Sequence, residues 1–499
     1  MSKNMSRRSF LQTSAMAAGA AMVASPLWST SAAAAEPKKK EKKVAATDKL
    51  NIVGVGIGGR GAADINGMAS QNIVALCDCD WNYAAGEMSR FPNAKKYKDY
   101  RKMFDEIGNE FDAVVVGTAD HTHACIAAAA LAMGKHVYCE KPLTHTVYET
   151  RLLTKLAAAN GLATQMGNQG ASLNSTRQVI EAIQSGLIGE VRKVDAFTDR
   201  PIWPQGLETP AGVDPIPDTL DWDLFIGPAK YRPFNTIYHP WNWRGWWDFG
   251  TGALGDMACH ILQPVVDALK LGSPISCQGS STNLMIDCAP NAQMVKFKFP
   301  ARDNMPKVAM PEVEVNWYDG GLKPEFPAGW PIGKNMNQSG GAAIFYGTKD
   351  VLVCGCYGVN PWLLSGKPIP AASTTREVEN QDHHADFIRA CKESKENRVP
   401  CKSDFQFAGP LNEMVVMGVL AVRLQGLNRE LAWDGKNMKF TNISPNETIQ
   451  FKVKDGFSVH DGHPTFEDKY TDPINAQAFA AELIKHTYRE GYDLPGMPA

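Results

Sequence analysis

The chain carries little net charge, and its only basic excess lies at the amino terminus. Across 499 residues, 51 Lys and Arg stand against 53 Asp and Glu, a formal net charge of −2. Residues 1–43 hold eight of the basic residues (Lys3, Arg7, Arg8, Lys38, Lys39, Lys40, Lys42, Lys43) against Glu36 and Glu41, a net +6; removing that from −2 leaves −8 on the rest. Binding to phosphate backbones needs a basic surface, so an acidic body argues against a nucleic-acid partner. Cysteine patterns are missing too. There are eleven cysteines, an odd number, which does not suit a disulfide framework and fits folding in a reducing compartment. Cys77 and Cys79, two apart on one expected strand, read as small core residues pointing the same way. Cys354-Gly355-Cys356 has no second Cys/His pair nearby, and His383-His384 has no third ligand at suitable spacing, so no metal is expected. Internal repeats are absent, as is low complexity outside the amino terminus.

Long apolar runs are also scarce there. Ala15–Ala24 is alanine-rich and weakly hydrophobic, and Pro26 and Ser29-Thr30-Ser31 interrupt it well short of the ~20 residues a membrane span needs. What precedes it is informative: Ser6-Arg7-Arg8-Ser9-Phe10-Leu11 places a twin arginine before an apolar pair, and Ala32–Ala35 supply small residues for cleavage. Residues 1–35 read as a twin-arginine export leader and residues 36–48 as a charged linker. The expected location is periplasmic, or otherwise exported by the twin-arginine route, with no membrane span. In systems that use such leaders, proteins cross already folded, often with a cofactor inside.

From Leu50 onward the chain alternates short apolar runs with helical segments: Leu50–Val55, Ile73–Leu76, Phe111–Gly117, Lys135–Cys139 and Ala163–Met166 as strands, with helices near Gly61–Ala69, Ala124–Met133 and Thr146–Asn160. Apolar strands separated by helices predict a parallel sheet covered on both faces. The fold class is therefore α/β, with a doubly wound domain over residues 49–168. Residues 169–499 are expected to form an α+β domain with a large, open, mostly antiparallel sheet. Its expected elements include a helix at Thr176–Gln184, strands at Val191–Phe197, Gln293–Phe299, Val313–Trp317 and Ala342–Val353, and helices near Asp382–Ser394, Gly409–Leu427 and Ala476–Glu490. Between them, Pro201–Trp247 holds six of the twelve tryptophans and is a candidate ligand wall.

Gly54-Val55-Gly56-Ile57-Gly58-Gly59 follows the first strand as G-x-G-x-x-G. The first glycine permits the tight turn, the second lets backbone approach a pyrophosphate, the third allows helix–strand packing, and the helix N-terminus attracts phosphate. Ile57, Gly58 and Arg60 belong to the same cradle. Asp78, 19 residues after Gly59 at the end of the second strand, is placed to accept hydrogen bonds from ribose hydroxyls. Its charge would repel a 2′-phosphate, so NAD is favoured over NADP. Asp80 is the alternative for the ribose role.

Asp256 and His260 are spaced i, i+4 in Gly252-Ala253-Leu254-Gly255-Asp256-Met257-Ala258-Cys259-His260, so on a helix they share one face. Oxidising a secondary alcohol needs a base for the hydroxyl proton while hydride leaves. Histidine does this near neutral pH, and a nearby carboxylate can orient it and favour its protonated form. Lys141, if it lies beside a cofactor, is expected to have its pKa lowered by desolvation or a neighbouring positive charge. Asn168-Gln169 follow the strand where two domains should meet, and their amides suit sugar hydroxyls. Trp243 and Arg244, within Trp241-Asn242-Trp243-Arg244-Gly245-Trp246-Trp247, suit a pyranose face and its hydroxyls. Arg177 is a softer candidate beside them.

Two motif segments and the glycine turn together resemble the glucose–fructose oxidoreductase/inositol dehydrogenase (Gfo/Idh/MocA) family. Gly117-Thr118-Ala119-Asp120-His121-Thr122-His123, then Gly134-Lys135-His136-Val137 to Glu140-Lys141-Pro142, is similar to its strand–TPxxxH–helix–GKHVxxEKP pattern, with Ala119 where proline is usual. Gly252–His260 looks like its second hallmark, with Gln263 where an Asp is frequent. The resemblance covers residues 49–270 by motif and the rest more loosely. It implies Thr118, His123, Glu140 and Lys141 at the cofactor, a commonly cis Pro142, His260 as base, Lys141 as acid/base partner, and Asp256 as orienting or substrate-binding carboxylate. It also implies hydride transfer from a secondary hydroxyl of a sugar, glycoside or polyol to NAD, and pairing through the open sheet as a homodimer or homotetramer. An exported chain has no replenished NAD pool, so the cofactor is expected to bind at nanomolar affinity or tighter, about −12 kcal/mol. The alternative is a redox-neutral glycoside hydrolase that works through a transient 3-keto sugar. A sugar-binding protein with an inactive nucleotide fold is the non-enzymatic alternative, and intact Lys141, Asp256 and His260 argue against it.

Overall fold

The computed structural model describes residues 48–305, 307–336, 340–373 and 382–496. The expected leader, and all of the linker except Asp48, lie outside the described residues. The first domain is a six-stranded sheet in the order β3-β2-β1-β4-β5-β6, all parallel. Its strands are β1 (Asn51–Val55), β2 (Asn72–Cys77), β3 (Lys95–Tyr97), β4 (Ala113–Val116), β5 (His136–Cys139) and β6 (Thr164–Met166). Between them run α1 (Gly59–Gly67), α2 (Ala85–Arg90), α3 (Tyr100–Ile107), α4 (His123–Ala132) and α5 (Val147–Asn160). Every residue of β4 and β5 is buried, as a central strand covered on both faces requires. Thr146 and Glu149 form a capping box that starts α5, and Gly161 ends it in the left-handed conformation. The short β3 and its flanking helices α2 and α3 were not evident from apolar periodicity, because Lys95-Lys96-Tyr97 is polar and edge-exposed.

The second domain opens with α6 (Asn174–Gln184), β7 (Val191–Thr198) and the short α7 (Trp222–Ile226), followed by α8 (Gly252–Ile261) and α9 (Gln263–Leu269). Strands β8 (Ser276–Ser281), β9 (Gln293–Phe299), β10 (Val313–Tyr318), β11 (Gly341–Gly347), β12 (Val351–Gly355) and β13 (Trp362–Leu363) follow. Next come α10 (His383–Lys392), α11 (Phe405–Arg423), β14 (Leu431–Asp434), β15 (Lys439–Phe440) and, after short hairpins, α12 (Ala476–Ile484). The nine-stranded sheet runs β13-β12-β11-β7-β10-β9-β8-β14-β15, antiparallel except at β7–β10. Three expected elements differ. Ala342–Val353 is a hairpin of two strands rather than one, because the chain reverses where the Gly347 N–H donates to the Asp350 carbonyl at 3.0 Å. Helix α11 begins at Phe405 rather than Gly409, because Asp404 accepts from the Gln406 and Phe407 N–H groups and caps it, and it ends at Arg423. Helix α12 stops at Ile484, and the chain beyond it leaves the helix for the nucleotide domain.

Among the described residues, α11 alone is long and apolar enough to cross a membrane, and it lies mostly buried inside the protein. One side packs on α5, the other on β8 and β9. From it, the fully buried Asn412 accepts from the Leu143 N–H at 2.8 Å and donates to Thr144 Oγ1 and Thr150 Oγ1. Glu413 takes a two-pronged contact from Arg151 at 2.7 and 2.8 Å. The second domain thus fixes the segment that carries Lys141.

The tryptophan-rich insertion between β7 and α8 folds onto the nucleotide domain. Trp222, Phe225, Tyr238, Trp246 and Phe249 form its core. Its Asp221 N–H donates to the Cys79 carbonyl at 2.8 Å, and its Thr219 carbonyl accepts from the Trp81 N–H at 3.2 Å. His121 packs between Phe225 and Phe249, and burial pulls its pKa down to about 3. All eleven cysteines are free thiols, ten of them buried.

Candidate active site

Strand order sets the layout of the site. A cavity of about 450 Å³ runs along the carboxyl ends of the first sheet, where open α/β folds bind ligands. Its wall takes Tyr100 beyond β3, Asp78 beyond β2, Gly56 beyond β1, Thr118 beyond β4, Lys141 beyond β5 and Gln169 beyond β6. Of the residues singled out in the sequence, Gly56, Gly58, Arg60, Asp78, Thr118, Glu140, Lys141, Gln169, Trp243, Arg244, Asp256 and His260 line it; Gly54, Ile57, Gly59, His123 and Asn168 do not.

The glycine turn has the shape of a backbone cradle. Gly56 has φ +72°, and a Cβ there would come within 2.6 Å of the Thr118 backbone nitrogen. The close helix–strand approach expected of Gly59 falls instead at Gly61, where a Cβ would sit 1.8 Å from the Gly56 carbonyl oxygen. At Gly59 a Cβ would meet the Tyr83 hydroxyl at 2.4 Å. Asp78 Oδ2 accepts from the Ile57 and Gly58 N–H groups at 2.8 and 3.3 Å, and Oδ1 from the Asp80 N–H at 2.9 Å. Burial raises its pKa to about 6, against the pull of these N–H groups. Asp80 does not line the cavity and pairs with His239 of the insertion at 2.9 Å. The cradle, the acid beside it and a cavity spanning the sheet edge fit a dinucleotide.

At the other end, Lys141 follows β5, and its bond to Pro142 is cis. Its Nζ donates to Asp256 Oδ1 at 2.8 Å and to the Asp256 carbonyl at 2.7 Å. Burial opposes the ammonium, but Asp256 and Glu140 outweigh it, so the Lys141 pKa is raised. This corrects the expectation of a lowered value: the neighbouring charges are mostly negative. Burial works against the Asp256 carboxylate as well, yet Lys141 and Arg244 bring its pKa down to about 2. Arg244 Nε reaches Asp256 Oδ1 at 3.3 Å, and its guanidinium lies 3.9 and 4.3 Å from the Trp241 and Trp243 ring centres.

Helix α8 puts Asp256 and His260 on one face, but the carboxylate engages Lys141 and Arg244 rather than the imidazole. His260 is buried, with Nδ1 free of any partner among the described residues and its ring 4.6 Å from that of Tyr357. Burial and Lys141 hold its pKa well below 6.5, so it is neutral at pH 7. Asp256 does favour its protonated form, as expected, but burial and Lys141 outweigh that pull. Gln263, three residues on, is buried.

Glu140 accepts from Arg60 Nε at 3.1 Å, Gln169 Nε2 at 2.9 Å and the Lys141 N–H at 3.2 Å. Burial and Asp64 raise its pKa to about 8 against Arg60 and Lys141. Arg60 also pairs with the buried Asp64 at 2.6 Å, and His384 Nε2 lies 3.0 Å from the same carboxylate oxygen. His383 contacts the Met166 carbonyl and Ser172, so the histidine dyad holds structure beneath the site.

His123 lies under the wall: its ring bridges the Pro142 carbonyl at 2.8 Å and the Thr118 carbonyl at 3.0 Å, tying the two motif segments together. Asn168 is fully buried. Arg177 pairs with Glu181 on the outer face of α6. Of the six clustered tryptophans, Trp203, Trp241 and Trp243 line the cavity, whereas Trp222, Trp246 and Trp247 are core. Other wall residues were not singled out: Tyr83, Asp120, Arg200, Tyr357 and Tyr492. Tyr357 adopts φ +63°, a strained conformation for a side-chain-bearing residue, and its carbonyl accepts from Thr176 Oγ1 at 2.8 Å. No motif marks it.

Two family models match the chain: "Oxidoreductase family, NAD-binding Rossmann fold" over residues 49–168, and "Oxidoreductase family, C-terminal alpha/beta domain" over residues 173–300. Inositol 2-dehydrogenase of Salmonella typhimurium is 30% identical over 151 residues, 29% of this chain and 44% of that protein. The matched region therefore spans less than half the length of that relative. Among solved structures, the WlbA dehydrogenase of Chromobacterium violaceum, in complex with NADH and UDP-GlcNAcA, aligns with a TM-score of 0.53 at 17% identity, covering 79% of this chain and 98% of that one. A levoglucosan dehydrogenase in complex with NADH and L-sorbose aligns at TM-score 0.51 and 16% identity, covering 77% and 99%. These structural likenesses show a shared fold.

Proposed function

The chain belongs to the Gfo/Idh/MocA oxidoreductase family, and from that premise we propose that it oxidises a secondary hydroxyl of a sugar, glycoside or polyol with NAD. The observation that carries this reading is the single cavity in which a dinucleotide cradle meets neutral His260 and the Lys141–Asp256–Arg244 cluster. When bound, NAD supplies a nicotinamide ring that takes hydride from the carbon being oxidised. The chain's own residues handle the proton and the charge. His260, kept neutral by burial and Lys141, takes the hydroxyl proton. Lys141 stays an ammonium and stabilises the developing oxyanion; Asp256 holds it in place. Trp203, Trp241 and Trp243 offer aromatic faces to sugar C–H surfaces. Asp78 at the cradle favours NAD over a 2′-phosphorylated cofactor.

The same reading places the mature chain outside the cytoplasm, exported folded by a twin-arginine leader, with NAD bound too tightly to be lost in transit. It also takes the chain to be a homodimer or homotetramer paired through the open face of the nine-stranded sheet, which light scattering of the purified protein tests. A cofactor that cannot exchange must be reoxidised in place. A cavity roofed by the insertion therefore favours, as a second reading, a redox-neutral cycle that cleaves a glycoside through a 3-keto sugar. Incubation with a panel of sugars, polyols and aryl glycosides separates the two. Bound NADH accumulating at 340 nm supports oxidation, and aglycone release without it supports the cycle. Neither signal with any substrate class would overturn both.

A further inference from the structure

The cavity wall beyond Asp78, at the β3 end of the first sheet, includes residues far outside the nucleotide domain. Leu224, Gly227 and Pro228 come from the end of α7, and Tyr492 comes from near the carboxyl terminus. After α12 ends at Ile484, the chain crosses from the second domain onto the first and is fastened at every few residues. His486 Nε2 lies 3.1 Å from His145 Nδ1. The Tyr488 hydroxyl donates to Glu149, the residue that closes the capping box of α5. The Arg489 N–H donates to the Pro228 carbonyl at 3.0 Å, its Nε donates to the Gly227 carbonyl at 3.1 Å, and its guanidinium pairs with Asp223. Arg101 on α3 lies 4.6 Å from the Tyr492 ring centre and donates to the Gly491 carbonyl at 3.4 Å. Tyr492 and Leu494 are buried, and Tyr148 donates to the Gly496 carbonyl at 3.4 Å.

These contacts join α3, α5 and α7 through one strand of chain that has no regular secondary structure. Tyr492 closes the cavity at the opposite end from Lys141 and His260. In the strand order β3-β2-β1-β4-β5-β6, a dinucleotide lying along the sheet edge with its reactive ring near Lys141 puts its adenosine half beside Asp78. We infer that residues 485–496 are a strap that forms the outer wall of the adenosine subsite and holds the dinucleotide in the protein. The inference rests on the reading of the cavity as an NAD site and adds to it a named cause of retention. Release then requires the strap to lift, so dissociation is limited by its opening.

The test uses the mature chain, a variant that stops after Lys485, and the double variant Arg489→Ala/Tyr492→Ala. Each is purified without added cofactor and denatured, and the released nicotinamide nucleotide is quantified. NADH dissociation from reloaded protein is followed by stopped-flow fluorescence against excess unlabelled NAD. Thermal melts show which variants fold; if the truncated chain does not melt cooperatively, the double variant decides. The inference predicts NAD in the full-length protein, its loss from the variants, and NADH dissociation faster by roughly 10-fold or more. Equal NAD content and equal dissociation rates in full-length and folded variant protein overturn the strap and leave the NAD site standing. A full-length protein that neither contains NAD nor binds added NADH overturns the NAD reading and the strap together.

Discussion

Lys141 Nζ bridges two oxygens of Asp256, the Oδ1 at 2.8 Å and the backbone carbonyl at 2.7 Å, joining the end of β5 to the face of α8 across the two domains. This ion pair therefore links the candidate catalytic lysine to the second domain, beside the Asn412 and Glu413 contacts that also join the two domains. Both side chains are largely buried, so removing one charge leaves the other with a single weaker partner, Arg244 for Asp256 and Glu140 for Lys141. Asp256→Asn should destabilise the protein by about 3–5 kcal/mol, and the double variant Lys141→Met/Asp256→Asn by less than the single one. Denaturant unfolding of the single and double variants checks this; additive losses would contradict it.

The same pair has a defined pH signature. Asp256 has a lowered pKa, so its contribution is complete above the unfolded carboxylate value and fades as pH falls through about 2. Lys141 has a raised pKa, so its contribution is complete below the unfolded lysine value and is lost as pH rises from there through its raised folded value. The pair should therefore hold across the neutral range, and the fall in stability between pH 7 and 4 should be the same in wild type and the double variant.

His260 is neutral at pH 7, so it is competent as a base down to its lowered pKa. The acid limb of kcat/KM should lie below pH 6.5. His260→Gln should lower kcat by roughly 10²–10⁴-fold and remove that limb, with cofactor binding by fluorescence titration unchanged within error. An acid limb at pH 7 or above in wild type would rule out this assignment.

Asp78 sits where a 2′-phosphate would meet a carboxylate. Asp78→Asn keeps an acceptor for the Ile57 N–H but removes the charge. It should raise affinity for NADPH relative to NADH by about 10-fold, read from the two dissociation constants. An unchanged ratio would move the discrimination elsewhere.

Asn412 satisfies the Leu143 N–H and two threonine hydroxyls in the fully buried junction next to Lys141. Asn412→Leu should cost about 1–3 kcal/mol for the stranded N–H group alone, and should lower kcat more than it raises KM, because the segment it anchors carries Lys141. Thermal melts and steady-state kinetics report the two effects separately.

The nucleotide domain was legible in the sequence because its information is local: apolar runs, a glycine turn and an acid at fixed spacing all sit within one β-α-β unit. The pairing of Lys141 with Asp256 was not, since the two residues are 115 apart and only the packing of α8 on the sheet edge joins them. That contact also explains why the Lys141 pKa is raised where sequence alone implies a lowered one: burial is legible in the sequence and the partner is not. His123 carries the family motif yet lies under the cavity wall, because its ring spans two carbonyls at the junction of β4 and the Pro142 turn. Tyr357 and Tyr492 reach the cavity from a turn after β12 and from the last residues of the chain, where no periodicity or motif marks a ligand wall.

Whether the cavity holds NAD is decided by the nicotinamide content of the purified mature protein. The protein would be prepared without added cofactor and denatured, and the supernatant would be assayed for NAD and NADP. Close to one NAD per chain and little NADP are expected. Protein that carries neither, and that shows no fluorescence change on titration with NADH or NADPH, would contradict it.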